Sequence, residues 1–173
     1  MLCIFIDNFP RMLKLFTALR SLFYAAAFAY LWGYLALGVR RYDEGFGFSL
    51  PVSVETAAIP LMVVGGMIVI SCIATFVLRG DGTPAPFDAP RQLVARGPYR
   101  YVRNPMYLGA AVVLIGFGLL YQSLSMVLFS LLFLLLAHVF VIVYEEHALE
   151  KTFGKSYREY KERVPRWIPK KPG

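Results

Sequence analysis

Glu145 and Glu146 stand side by side at the end of a stretch, Pro105 to Tyr144, that holds no Asp, Glu, Lys or Arg. Acidic groups at the edge of an apolar medium are costly and mark a functional candidate, whereas the same pair in solvent does no more than balance nearby arginines. His138 lies seven residues before Glu145, which in a regular helix puts it on the same face two turns deeper. Proton transfer is the chemistry these groups could perform, with Glu146 as the better-placed base and His138 as the weaker one. The plainer role for His138 is a buried ring satisfied by a neighbouring hydroxyl; His147 reads as solvated. Upstream, Tyr99, Tyr101 and Tyr107 are interleaved with Arg96, Arg100 and Arg103. There Gly97-Pro98 marks a turn, and Asn104-Pro105 reads as an N-cap followed by proline at the first helical position.

Other chemistries find no support. Cys3, Cys72 and the two histidines are scattered without ligand spacing, so no metal site is expected. A bis-histidine haem needs histidines on facing helices, and both of these fall on one. Gly65-Gly66 lies within an apolar run and reads as close helix packing instead of a phosphate loop.

The elements that must position these residues follow from composition. The chain has 173 residues, 58% of them hydrophobic and 17% charged, against about 45–50% and about 25% in an average soluble domain. That excess argues against both a soluble globular protein and a disordered one. Ser21 to Val39 and Ala57 to Leu78 are uncharged, like Pro105 to Tyr144. About 20 apolar residues cross a bilayer core, so the longest run divides in two, at Tyr121-Gln122-Ser123. The expectation is an all-α polytopic membrane protein forming one domain over 1–173. Its four spans fall at about 16–38, 57–78, 105–121 and 124–144. Met1 to Pro10 reads as an interfacial lead-in, and the first run is too long for a signal peptide. Of eighteen basic residues, only Arg40 and Arg41 fall on the side opposite the rest. The positive-inside rule then places both termini in the cytoplasm, at a plasma or inner membrane if the source is prokaryotic. The net charge of +7 is thereby absorbed by topology, and nucleic acid is not an expected partner.

Two cytoplasmic segments remain. The loop over 80–104 is proline-stiffened in its first half and aromatic and basic in its second. After the last span, an amphipathic tail helix over 145–164 carries an apolar stripe of Leu149, Phe153, Tyr157, Tyr160 and Val164. Gly154 bends or breaks it and Pro165 ends it. That helix reads as lying on anionic lipid headgroups, and in a sharper reading it also closes one wall of a site.

Arg96-Gly97-Pro98-Tyr99, continuing through Arg103-Asn104-Pro105-Met106-Tyr107-Leu108-Gly109, resembles the G-x-Y-x-x-x-R-[HN]-P-x-Y-x-G pattern of integral-membrane methyltransferases. These are the isoprenylcysteine carboxyl methyltransferase and phospholipid N-methyltransferase families. Glu145-Glu146, Leu149, Phe153-Gly154, Tyr157, Tyr160 and Arg163-Val164-Pro165 supply the second half of that pattern. The resemblance covers about half the chain and implies S-adenosylmethionine bound at the cytoplasmic end of the last two spans. Gln92, Leu93 and Val94 would line it, Tyr99 and Asn104, Pro105, Met106 and Tyr107 would hold it at the helix start, and Glu145 would sit near its amino end. A helix N-terminus suits a carboxylate, a carboxylate suits a cation, and tyrosines suit both adenine and a sulfonium. The implied activity is methyl transfer to a hydrophobic small molecule or a membrane lipid: a lipid amine, a thiol or a carboxylate. Asn104 replaces the histidine of the eukaryotic carboxyl methyltransferases. Val141 replaces their substrate-directed arginine, which argues against a prenylcysteine carboxylate. The alternative is a non-catalytic membrane binding or assembly protein that keeps the same helical hairpin.

Overall fold

A computed structural model describes residues 2–47, 50–79 and 92–170. Helix α1 (Leu2–Val39) is followed by a 3-10 turn, Arg40–Tyr42, a single helical turn α2 (Asp43–Phe46) and a second 3-10 segment, Val52–Ala57. Helix α3 (Ala58–Arg79) leads to the loop over 80–104, of which 80–91 lie outside the described residues. A 3-10 turn, Gly97–Arg100, precedes the hairpin of α4 (Pro105–Leu120) and α5 (Leu124–Phe140). Helix α5 runs through a π-helical turn, Val141–Glu145, into α6 (Glu146–Phe153), and α7 (Lys155–Arg163) closes the fold. No strand occurs among the described residues.

Three helical stretches, Lys14–Gly45, Val52–Leu78 and Leu124–Phe153, are long and apolar enough to cross a membrane. Helix α4 is apolar but has only 16 residues, about 24 Å of helix against a hydrocarbon core of about 30 Å. The expected four spans are therefore three full-length helices and a shorter one. The expected lead-in is also revised, because Leu2 to Pro10 continue into α1 without a break.

Apolar side chains gain little from one another in a bilayer, so helices there associate through close backbone approach and tight van der Waals packing. The α3–α4 contact is built that way. A Cβ on Gly65 would stand 2.6 Å from the Gly109 carbonyl oxygen, and one on Gly116 would stand 2.8 Å from that of Ala58. Gly65 is thus a packing glycine, as expected, while Gly66 faces open space. The hairpin turns at Tyr121-Gln122-Ser123, where the polar residues interrupt the apolar run. Ser123 caps α5 by accepting from the Met126 N–H at 3.1 Å. On the same side, Asp43 accepts from the Ser125 N–H at 2.8 Å and ties the end of α1 to the start of α5. Within the helices, Trp32 of α1 meets Phe133 edge-on at 4.7 Å between ring centroids. That pair joins a core of Ala36, Ala111, Leu114 and Met126.

The tail helix is broken at Gly154, as expected, into α6 and α7. Gly154, at φ +53°, takes a backbone conformation that favours glycine, and the chain turns there. This folds the apolar stripe inward. Tyr157, Tyr160 and Val164 are buried together, with Leu149 and Phe153 packed against them and Leu93 and Ala95 supplied by the loop. The stripe packs against protein.

Candidate functional site

The site is assembled where the loop meets the start of α4. Gly97, at φ +59°, lies so close to Thr75 that a Cβ would stand 2.6 Å from the threonine hydroxyl. This contact pins the Gly97–Arg100 turn to the end of α3. Tyr99 is thereby buried beside Cys72 and Val94, with Phe76 edge-on to its ring at 5.3 Å and Met106 packed against the group. Burial holds the Tyr99 phenol well above its ordinary pKa. From the opposite side, the Tyr160 hydroxyl donates to the Tyr99 carbonyl at 2.7 Å, so α7 holds the turn in place.

Pro105 opens α4 at the first helical position, as expected. Asn104 occupies the N-cap position, but its side chain does not cap the helix: Nδ2 donates to the Arg166 carbonyl at 3.1 Å. That correction has a long-range cause. After α7 the chain returns across the start of α4 as a strap. The Arg103 N–H donates to the Pro165 carbonyl at 2.9 Å and the Lys170 N–H to the Tyr101 carbonyl at 3.0 Å. The Arg166 carbonyl, by accepting from Nδ2, sets the orientation of the side chain whose oxygen would otherwise cap.

The two glutamates part company. Glu145 accepts from the Tyr107 hydroxyl through Oε2 at 3.0 Å. Glu146 is buried and accepts three guanidinium bonds, from Arg103 Nη1 at 2.9 Å, Arg166 Nε at 2.7 Å and Arg166 Nη2 at 3.0 Å. Both of its oxygens are committed to tying the strap to α6. Glu146, expected as the better-placed base, is here the anchor of the strap.

His138 finds its partner in an indole, where a hydroxyl was expected: Trp167 Nε1 donates to His138 Nδ1 at 2.8 Å. An indole nitrogen can only donate, so Nδ1 is the acceptor and the ring proton sits on Nε2. His138, expected as the weaker base, thus has its Nδ1 lone pair engaged by the indole. The π turn also falls between His138 and Glu145. Seven residues therefore no longer give the simple angular match of a regular helix, and the two side chains take different partners.

Of the residues expected to hold a cofactor, Val94, Tyr99 and Met106 share one cluster. Tyr107 and Glu145 share a hydrogen bond, and Pro105 is buried at the helix start. Leu93 instead packs with the tail, and Gln92 is exposed where the described part of the loop begins. Tyr101 sits on the surface with the Arg100 guanidinium 4.6 Å from its ring. His147 is exposed, as expected. Sequence reasoning missed Arg166 and Trp167, the strap residues that engage Glu146 and His138. An arginine beside a tryptophan just after a proline at the membrane edge was the available signal. No group of three or more potential metal ligands occurs among the described residues.

The geometry concentrates on residues 92–107 and 138–167. Residues 54–156 match the sequence profile of the phospholipid methyltransferase family. The chain belongs to that family. It is 35% identical over 81 residues to protein-S-isoprenylcysteine O-methyltransferase B of Arabidopsis thaliana, covering 45% of this chain and 40% of the plant protein. It is 30% identical over 79 residues to the nickel-cobalt-cadmium resistance protein NccN of Alcaligenes xylosoxydans xylosoxydans, covering 46% of this chain and 37% of that one. An uncharacterized protein of Haemophilus influenzae is 36% identical over 63 residues, which is its full length and 36% of this chain. The chain thus spans about two-fifths of the length of the two relatives with descriptive names. Family and apolar helices together make it an integral membrane protein.

Proposed function

We propose that the chain is an S-adenosylmethionine-dependent methyltransferase acting on a membrane-borne acceptor at the cytoplasmic face. The observation that carries this reading is the Tyr107–Glu145 pair at the start of α4, inside the segment that matches the family. The residues there fit the cofactor's three chemical ends. The free N–H groups of the first turn of α4 suit its carboxylate. Glu145, braced by Tyr107, suits its ammonium. Val94, Tyr99 and Met106 supply an apolar and aromatic wall, with Leu93 and Gln92 at the loop edge and Asn104 and Pro105 fixing the helix start.

When bound, S-adenosylmethionine supplies a methyl group on a sulfonium, whose bonding electron pair stays on sulfur as the methyl leaves. The protein's own contribution is to align and to exclude water. The strap and α7 cover the turn that carries Tyr99, and the arginine clamp on Glu146 keeps that cover in place. In this reading 1–173 act as a single membrane domain. Helix α4, packed along α3 and returned by α5, makes the fourth crossing despite its length. Both termini lie in the cytoplasm, where the basic residues cluster.

Calorimetry of the purified protein in detergent with S-adenosylhomocysteine tests the reading. Binding that Glu145→Ala weakens supports it. A folded sample that binds neither the product nor the donor overturns it in favour of a non-catalytic membrane assembly protein.

A further inference from the structure

Beside the site, α4 and α5 leave a groove of about 280 Å³ lined by Leu108, Leu134, Leu135, His138 and Trp167. Leu135 is 57% exposed, on the face of α5 that also exposes Leu131 and Leu132, so the groove opens sideways toward acyl chains and not toward water. Its polar features are the imidazole and the indole N–H bonded to it. Trp167 occupies Nδ1 and leaves the proton on Nε2, which has no hydrogen-bond partner among the described residues. The groove adjoins the site described above through Trp167. The Trp167 ring lies 6.5 Å from that of Tyr107, whose hydroxyl bonds Glu145.

We infer that this groove takes the chain of a long-chain carboxylate and that His138, locked as a donor by Trp167, orients the carboxylate head for methylation. The inference rests on the methyl-transfer reading, and two separate observations select the head group. An N–H donor is satisfied by an oxygen acceptor and offers nothing to an ammonium. The nearby groups that could receive a proton are also engaged: Glu146 by two arginines, His138 Nδ1 by the indole, and Glu145 by Tyr107 and, in that reading, by the cofactor's ammonium. An amine or a thiol must shed a proton on methylation; a carboxylate need not. The new bond joins a carboxylate oxygen to the methyl carbon, the sulfur–carbon pair stays on sulfur, and the anion and the sulfonium become a neutral ester and a neutral thioether. His138 acts as a positioning donor throughout.

The test uses the full chain in phosphatidylcholine nanodiscs with Trp32→Phe, which leaves Trp167 as the sole tryptophan. Twelve-carbon probes brominated at the chain end and bearing a carboxylate, an amine or an alcohol are titrated against Trp167 fluorescence. Saturable quenching is expected at the lowest concentration for the carboxylate. In His138→Leu the carboxylate's half-quenching concentration should rise roughly tenfold, the loss of one charge-assisted hydrogen bond, and in His138→Gln, which keeps a donor, it should stay near wild type. Independently, ¹⁵N-histidine spectra of the unmutated chain should show one ring protonated on Nε2 that changes state in Trp167→Phe. Equal quenching by all three heads, an unchanged midpoint in His138→Leu, or a proton on Nδ1 of the ring that responds to Trp167→Phe overturns the inference. S-adenosylhomocysteine binding is measured on the same discs. If it persists while head-group preference is absent, only this inference fails; if it is absent while the preference stands, the groove is a carboxylate site and the methyl-transfer reading fails.

Discussion

Arg166 grips Glu146 through two parallel bonds, Nε to Oε1 at 2.7 Å and Nη2 to Oε2 at 3.0 Å, across twenty residues of chain. A two-point guanidinium–carboxylate contact fixes orientation as well as distance. Arg103 shares the same carboxylate, so the start of α6, the segment before α4 and the strap meet at one side chain.

Glu146→Gln should therefore release the strap. It leaves Arg103, whose side chain is 10% exposed, without its anion, a defect of about 3 kcal/mol. Arg166→Ala should cost less, because that side chain is 31% exposed and already partly solvated. Thermal unfolding in detergent, with limited proteolysis at the tail, ranks the two. Equal stability in both variants would show that the clamp carries no energy.

Tyr107→Phe keeps the ring and removes the hydroxyl that donates to Glu145. Loss of one charge-assisted hydrogen bond should weaken S-adenosylhomocysteine binding by on the order of tenfold. Glu145→Ala should weaken it further. Calorimetry on both variants checks the order, and a Tyr107→Phe affinity equal to wild type would remove Tyr107 from the site.

The α3–α4 seam makes a paired prediction. Gly65→Ala pushes a methyl to 2.6 Å from a backbone oxygen that cannot move aside, and should destabilise by about 1–3 kcal/mol. Gly66→Ala, one residue on and facing open space, should be neutral or should stabilise by up to about 1 kcal/mol. Unfolding by dodecyl sulfate in mixed micelles separates them.

Alkaline pH should loosen the tail before it unfolds the helices. Burial, with the charge of Glu146 behind it, pushes the Tyr157 phenol from 10.0 up to about 12, and burial raises Tyr160 in the same direction. A raised phenol favours the protonated, folded form. The stabilisation is complete below pH 10, where both folded and unfolded chains are protonated, and is lost as pH rises from 10 through about 12. Tyr157→Phe should flatten that loss. Amide hydrogen exchange or proteolysis of residues 155–164 across pH 9 to 12 follows it, and a flat wild-type profile would refute the docking energy assigned to these phenols.

The parts of this fold legible in the sequence were those with local or periodic causes. The polar gap at Tyr121-Gln122-Ser123 marked the hairpin, the spacing of Tyr157, Tyr160 and Val164 marked a buried face, and Pro105 marked a helix start. What stayed hidden depends on segments far apart in the chain. Nothing near Glu146 announces Arg166, and nothing near His138 announces Trp167. Asn104 shows how a good local rule yields: its amide serves a carbonyl sixty-two residues away instead of its own helix. The shortness of α4 was obscured for another reason. An uncharged run reports what a segment can dissolve in, but not where a helix stops within it.

The π turn at Val141–Glu145 holds more chain than an α-helical turn of the same rise, so it behaves as an insertion absorbed without a loop. Were the same residues wound as an uninterrupted α-helix, everything beyond them would swing by about 100° relative to everything before. Glu145 would leave Tyr107 and Glu146 would leave both arginines, while every recognisable motif stayed letter-perfect. A chain one residue shorter between His138 and the acid pair would reach the same arrangement with a regular helix, so residue count and winding across that turn are a single trait of this protein, set together.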